Sequence, residues 1–160
     1  MTDAAKRSDD RGSEFVRTLN LLGGSDTFDT GVSTALDAHE MIMRGFPGIA
    51  LTNLCRNVML FQRSEASFRA LGISERTLQR RKAEAQPKAL SSEQSGRAWK
   101  LAEIIARATA VFGSQEEAEE WLERPAIGLN QHRPIELLAS TAGTEVVEQH
   151  LERIEFGVYA

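Results

Sequence analysis

Residues 91–113 hold the pattern that leaves this chain the fewest ways to fold. Ser91-x-x-Gln94 is a capping box, in which a hydroxyl and an amide each satisfy a backbone donor that the first helical turn leaves orphaned. Gly113 is the residue type that closes a helix in the left-handed conformation. Between these ends, Ala98, Leu101, Ala102, Ile105 and Phe112 share one side, and Ile104, Ala108 and Val111 another. A helix apolar around most of its circumference has to be covered on every side. The rest of the chain must wrap around it, and it offers no Val- or Ile-rich run of period two and no internal repeat with which to do so. The expected fold class is all-α.

Three segments follow from the punctuation. Residues 1–32 form the least structured one: 1–13 have almost no bulky apolar side chain and are expected to be disordered, and in 14–32 a short helix of Phe15, Val16, Leu19, Leu21 and Leu22 ended by Gly23-Gly24 competes with the turn chemistry that follows. Residues 33–90 read as a helical unit. Ser33 is the predicted cap of a helix carrying Leu36, Glu40 and Met43 and ended by Gly45. Pro47 opens the next, where Ile49, Leu51, Leu54, Cys55, Val58 and Met59 recur at helical spacing and Phe61 closes the apolar set. Residues 91–160 add to the long helix a second capping box, Ser114-x-x-Glu117, before an acidic helix with Trp121 and Leu122. Pro125 ends that helix, Arg133-Pro134 starts a short one, and Ser140 or Thr141 caps the last, whose stripe is Val147, Leu151, Ile154 and Val158. The glutamates of 116–123 are expected to be a solvated face favoured by the helix dipole.

Net charge is −4, but the mean conceals a division along the chain. Residues 63–113 carry ten basic and five acidic side chains, whereas 114–160 carry three and ten. A basic middle suits a polyanion, and the acidic tail suits something else. Within the basic part, residues 64–84 have the form of a helix-turn-helix. Phe68 and Leu71 lead into Gly72, able to take the left-handed turn, Ile73 packs beneath it, and Ser74 caps a second helix anchored by Leu78. Arginine and glutamine read guanine and adenine edges bidentately, and the start of the second helix is what enters the major groove. Arg76, Thr77 and Arg80 are the predicted base-contacting residues, with Glu75 and Gln79 beside them, and Arg81, Lys82 and Lys88 are placed for phosphates.

Chemistry of other kinds finds little support. His39, His132 and His150 are dispersed without ligand-spaced neighbours, so no metal site is expected, and neither a phosphate-binding loop nor a nucleophile elbow occurs. No catalytic residue and no cofactor are predicted. The single cysteine, Cys55, excludes an intramolecular disulfide and reads as a buried thiol. No secretory signal or membrane-spanning run is visible, and a cytoplasmic setting is the expectation.

The tail from Trp121 to Ala160 closely resembles the toxin-binding domain of the Xre/MbcA/ParS antitoxins, in its Trp-Leu, its proline-bounded loop, its Arg-Pro-Ile-Glu-Leu-Leu step and its closing Arg-Ile-Glu-Phe-Gly-Val. The Leu-Gly-Ile-Ser-Glu-Arg-Thr-Leu-Gln-Arg-Arg run at 71–81 is similar to the helix-turn-helix those antitoxins carry upstream. The resemblance covers about residues 45–160. Two departures stand out: Phe68 takes a place where the motif usually has alanine, and the loop reads Pro125-Ala-Ile-Gly-Leu-Asn-Gln131 where the family usually has Pro-Asn-x-Ala-Leu-Gly-Gly.

The resemblance implies a non-enzymatic antitoxin, with 33–90 as the helix-turn-helix domain and 91–160 as the toxin-binding domain. Its implied partner is a RES-domain toxin, a class associated with destroying NAD. It further implies steric occlusion of the toxin cleft by the chain end, through Glu155, Phe156, Gly157, Val158, Tyr159 and Ala160, and repression of its own operon by a homodimer on palindromic operator DNA. A stand-alone helix-turn-helix regulator, whose C-terminal domain dimerises or binds a ligand, is the alternative reading.

Overall fold

The computed structural model describes the backbone of residues 2–157 and the side chains of residues 9–157. Among the described residues there are ten α-helices and no strand. The seventh, α7 (Ser92–Phe112), is the axis around which the others pack. Both halves of its capping box form: Ser91 Oγ accepts the Gln94 N–H at 3.1 Å, and Gln94 Oε1 accepts the Ser91 N–H at 3.3 Å. Gly113 ends it at φ 94°. Ala98, Leu101, Ala102, Ile104, Ile105, Ala106 and Ala108 are all buried, as their spread around the helix requires.

The first helix corrects the expectation of disorder for residues 1–13 and takes in the short helix expected before Gly23-Gly24. α1 runs Thr2–Leu21. Its second half docks on α7: Phe15 sits 5.4 Å from the Trp99 ring, Leu19 packs on the core, and Thr18 and Leu21 are buried. Once that end is held by tertiary packing, extending the helix backward through a polar sequence needs no new nucleus.

α2 (Ala35–Arg44) is capped by Thr34, one residue beyond the predicted Ser33. Thr34 Oγ1 accepts the Asp37 N–H, and Asp37 Oδ2 accepts the N–H groups of Thr34 at 2.8 Å and Ser33 at 3.0 Å. Those donors, Ser33 first, hold the Asp37 carboxyl below its ordinary range. The buried face is Ala38 and Met41, with Ile42 beside it, while Leu36, Glu40 and Met43 face solvent. The reason is steric: Ile42 lies against Gly96 of α7, and with the small Ala38 this lets the two helices approach closely.

α3 (Gly48–Asn57), α4 (Leu60–Arg63), α5 (Ala66–Leu71) and α6 (Glu75–Ala83) complete the N-terminal half. Leu51, Leu54, Cys55, Val58 and Phe61 are buried as predicted, whereas Ile49 and Met59 fall off the stripe. Burial pushes the Cys55 thiol up to about 12, so it stays protonated. A Cβ on Gly48 would collide with the carbonyls of Pro87 and Lys88, because the link after α6 lies directly on α3. That link then returns to the axis, Leu90 N–H donating to the Phe46 carbonyl at 2.9 Å.

α8 (Gln115–Glu123), α9 (Pro134–Leu137) and α10 (Thr141–Glu155) cover the other end of α7. Ser114 caps α8 by accepting the Glu117 N–H, and Glu117 itself stays in solvent, so only half of the second predicted box forms. Ser140 caps α10. One contiguous core runs through both halves, joining Leu22, Phe46, Leu54 and Leu71 to Ile104, Leu122, Ile135 and Val147.

Candidate functional site

The turn between α5 and α6 has the geometry that its sequence requires. Gly72 sits at φ 69° and ψ 26°, and the N–H of Ile73 returns to the Phe68 carbonyl at 3.1 Å. Ser74 Oγ accepts the Thr77 N–H at 3.1 Å and starts α6. Leu78 is buried and fixes the rotation of α6, which turns Glu75, Arg76, Gln79, Arg80 and Lys82 outward. Arg76, Thr77, Gln79 and Arg80 border one shallow depression. Phe68, in place of the usual alanine, is accommodated by packing edge-on to Phe61 at 5.6 Å.

Two predicted contacts sit differently from their neighbours. Thr77 is half-buried and its Oγ1 lies 2.9 Å from Ser74 Oγ, so the hydroxyl is engaged in the cap. Arg81 is half-buried and its Nη1 donates to the Lys88 carbonyl at 3.1 Å, tying the end of α6 to the following link. Lys82 and Lys88 are exposed. Arg69, which the sequence pattern did not single out, lines a second depression with Gly72, Ser74 and Glu75. Its signal is the spacing, since a basic residue one turn before the helix end flanks the same groove as the start of α6.

In the C-terminal half, Trp121 packs against Phe112 at 5.3 Å and stacks on His150 at 6.3 Å and 11°. Burial, with Arg153 adding to it, lowers the pKa of His150 and favours the neutral ring. Gly128 lies against that ring with no room for a side chain. The loop closes on itself: Gln131 N–H donates to the Ala126 carbonyl at 2.9 Å, and Ala126 N–H to the His132 carbonyl at 3.1 Å. Asn130 and Gln131 hold φ of 52° and 65°, so the two positions matching the family's Gly-Gly keep the left-handed turn without glycine. Leu129 is buried, and Ile127 at the tip is 86% exposed.

α10 is tied to the axis by charge. Lys100 bridges Glu103 at 3.0 Å and Glu148 at 2.9 Å; burial alone would lower its pKa, but the two carboxylates outweigh that and raise it. Glu155, predicted to face a partner, pairs with Arg107 at 2.9 Å within the chain and keeps part of its side chain in solvent. Phe156 is 52% exposed and Gly157 turns at φ 68°. Val158, Tyr159 and Ala160 lie outside the described residues.

The acidic helix α8 also corrects the sequence reading. Glu119 is only 2% exposed; its Oε2 accepts the Leu60 N–H at 2.8 Å, and its Oε1 accepts Gln115 Nε2 at 2.8 Å. Gln115 Nε2 also reaches the Asn57 carbonyl at 2.7 Å. One carboxylate from the C-terminal half thus satisfies an orphan donor at the start of α4 in the other. Among the described residues no group of three or more His, Cys, Asp or Glu is placed to hold a metal ion, and no helix is long and apolar enough to cross a membrane.

With this geometry in place, two family models match. One, described as the antitoxin Xre-like helix-turn-helix domain, covers residues 37–103, and the other, the antitoxin Xre/MbcA/ParS C-terminal toxin-binding domain, covers residues 107–157. Two curated relatives are similar along most of their length. Antitoxin Xre of Pseudomonas putida is 30% identical over 126 residues, spanning 79% of this chain and 76% of the relative. The Prs ADP-ribosylating antitoxin of a Sphingobium species is 30% identical over 123 residues, spanning 71% of this chain and 76% of the relative.

Proposed function

The chain belongs to the Xre/MbcA/ParS antitoxin family, and from that premise we propose that it silences a RES-domain, NAD-consuming toxin by covering its active-site cleft and represses its own operon through α6. The observation that carries the toxin half is where charge and apolar exposure coincide. Residues 114–160 bear ten acidic side chains against three basic ones, and the same region presents Ile127 and Phe156 to solvent. An acidic surface with apolar knobs suits a basic cleft built for a nucleotide. The contact is carried by the chain end from Glu155, whose carboxylate also pairs with Arg107, through Phe156, Gly157, Val158, Tyr159 and Ala160.

Deleting Gly157–Ala160 leaves the core intact and is expected to restore NAD loss in cells producing the toxin. Full protection by the shortened chain rejects occlusion by the tail. A second reading of the toxin's chemistry comes from the Sphingobium relative, whose name carries ADP-ribosylation. ADP-ribose transfer also consumes NAD, but it leaves labelled protein where simple hydrolysis leaves none, and radiolabelled NAD separates the two.

Operator binding is supported by the outward set Arg76, Gln79 and Arg80 on a helix that Leu78 holds in place. Paired recognition helices from two copies would read half-sites one DNA turn apart. Gel-shift titration of the Arg76→Ala/Arg80→Ala chain tests it: unchanged affinity for the upstream DNA removes α6 as the reading helix.

A further inference from the structure

α2 turns toward solvent an apolar stripe for which the fold has no use. Leu36 is 66% and Met43 61% exposed, two turns apart, with the exposed side chains of His39 and Glu40 between them. The opposite face, Ala38 and Met41, is the one that packs inward. The side chains of His39, Glu40 and the neighbouring Arg44 make no hydrogen bond or ion pair among the described residues.

The four positions are symmetric about the middle of the helix. α2 has ten residues, Ala35–Arg44; Leu36 and Met43 are second from its two ends, and His39 and Glu40 are its central pair. A two-fold axis through that midpoint, with two copies of α2 antiparallel, sets each Leu36 against the partner's Met43 and each His39 against the partner's Glu40. Apolar meets apolar and base meets acid, twice each, as a self-complementary contact demands. Antiparallel alignment also brings the basic end of each helix, at Arg44, beside the acidic first turn of the other, at Asp37. A hollow of about 510 Å³ between α2 and residues 27–32 borders the stripe at Glu40 and Arg44, leaving space for flanking side chains.

We propose that the chain self-associates through α2, the occupant of the stripe being a second copy of the same helix. This deepens the operator-binding reading by giving the dimer its surface, yet it is tested on the protein alone. A helix face about 15 Å long buries less than a standard interface, so the dimer is expected to dissociate in the micromolar range.

Sedimentation equilibrium of the full chain across that range is expected to show a monomer–dimer equilibrium. The Leu36→Lys/Met43→Lys chain is expected to be monomeric with unchanged helicity by circular dichroism. Glu40→Lys should raise the dissociation constant about threefold or more, and adding His39→Glu, which recreates the pair with its charges exchanged, should return it toward the starting value. A wild-type chain that is monomeric throughout, a Lys/Lys variant that still dimerises, or a stripe protected only when toxin is added would each overturn the proposal. A dimer that survives in the Lys/Lys variant and still binds operator would leave the operator reading standing while removing α2 from it.

Discussion

Glu119 is the side chain whose loss would be felt across the longest stretch of sequence. It sits in α8 but completes the hydrogen bonding of Leu60 and, through Gln115, of Asn57. Replacing it with alanine strands a buried N–H, and a cost of about 2–3 kcal/mol is expected in urea unfolding, against a smaller cost for Glu119→Gln, which keeps an acceptor. Its place in a run of glutamates concealed it, because charge runs are usually solvated. The distinguishing signal is register: Glu119 follows Ala118 and precedes Leu122 by three, on the edge of the buried stripe of α8. Gln131 offers a second test at this scale. At φ 65° a β-branched side chain is disfavoured, so Gln131→Val should lower stability by about 1–2 kcal/mol while Gln131→Gly should not lower it at all. Calorimetric melting of the pair settles which holds.

Elements with both ends marked were legible before any coordinates. α6 and α7 begin at hydroxyl caps and α7 ends at a glycine, and each starts where its sequence says. Removing one such mark should show: Ser74→Ala is expected to destabilise by about 1 kcal/mol and, as α6 is the helix proposed to read DNA, to weaken DNA binding by loosening its start. The first half of α1 was hidden because it carries no stripe, and the inward face of α2 was not legible because it has two apolar faces with only Ala38 to say which goes inward. Glu14, on the docked half of α1, is raised above its ordinary 4.5 chiefly by burial, with Arg107 opposing. A carboxyl that holds its proton more tightly folded than unfolded contributes stability fully below the ordinary value, and that contribution is lost as pH rises through the raised one. Glu14→Gln is therefore expected to be the more stable chain at neutral pH, with the gap closing below about pH 4 in thermal melts.

At the scale of the molecule, the two regions that the family models match are not two separable bodies. The core passes from Leu22 to Val147 without a break, and α7 belongs to both ends. A single unfolding transition is expected, with calorimetric and van 't Hoff enthalpies equal, and two resolved transitions would contradict the shared core. The sequence carried both family resemblances but not this fusion, because a boundary is read from local punctuation and a common core is a property of distant contacts. One outcome concerns turnover. A protease that pulls on either end of this chain must dismantle α7, and with α7 gone α6 and the loop at Ile127 lose their support together. On the proposed reading, cells that clear the antitoxin would release toxin and promoter in the same event, with no surviving fragment able to repress one while freeing the other.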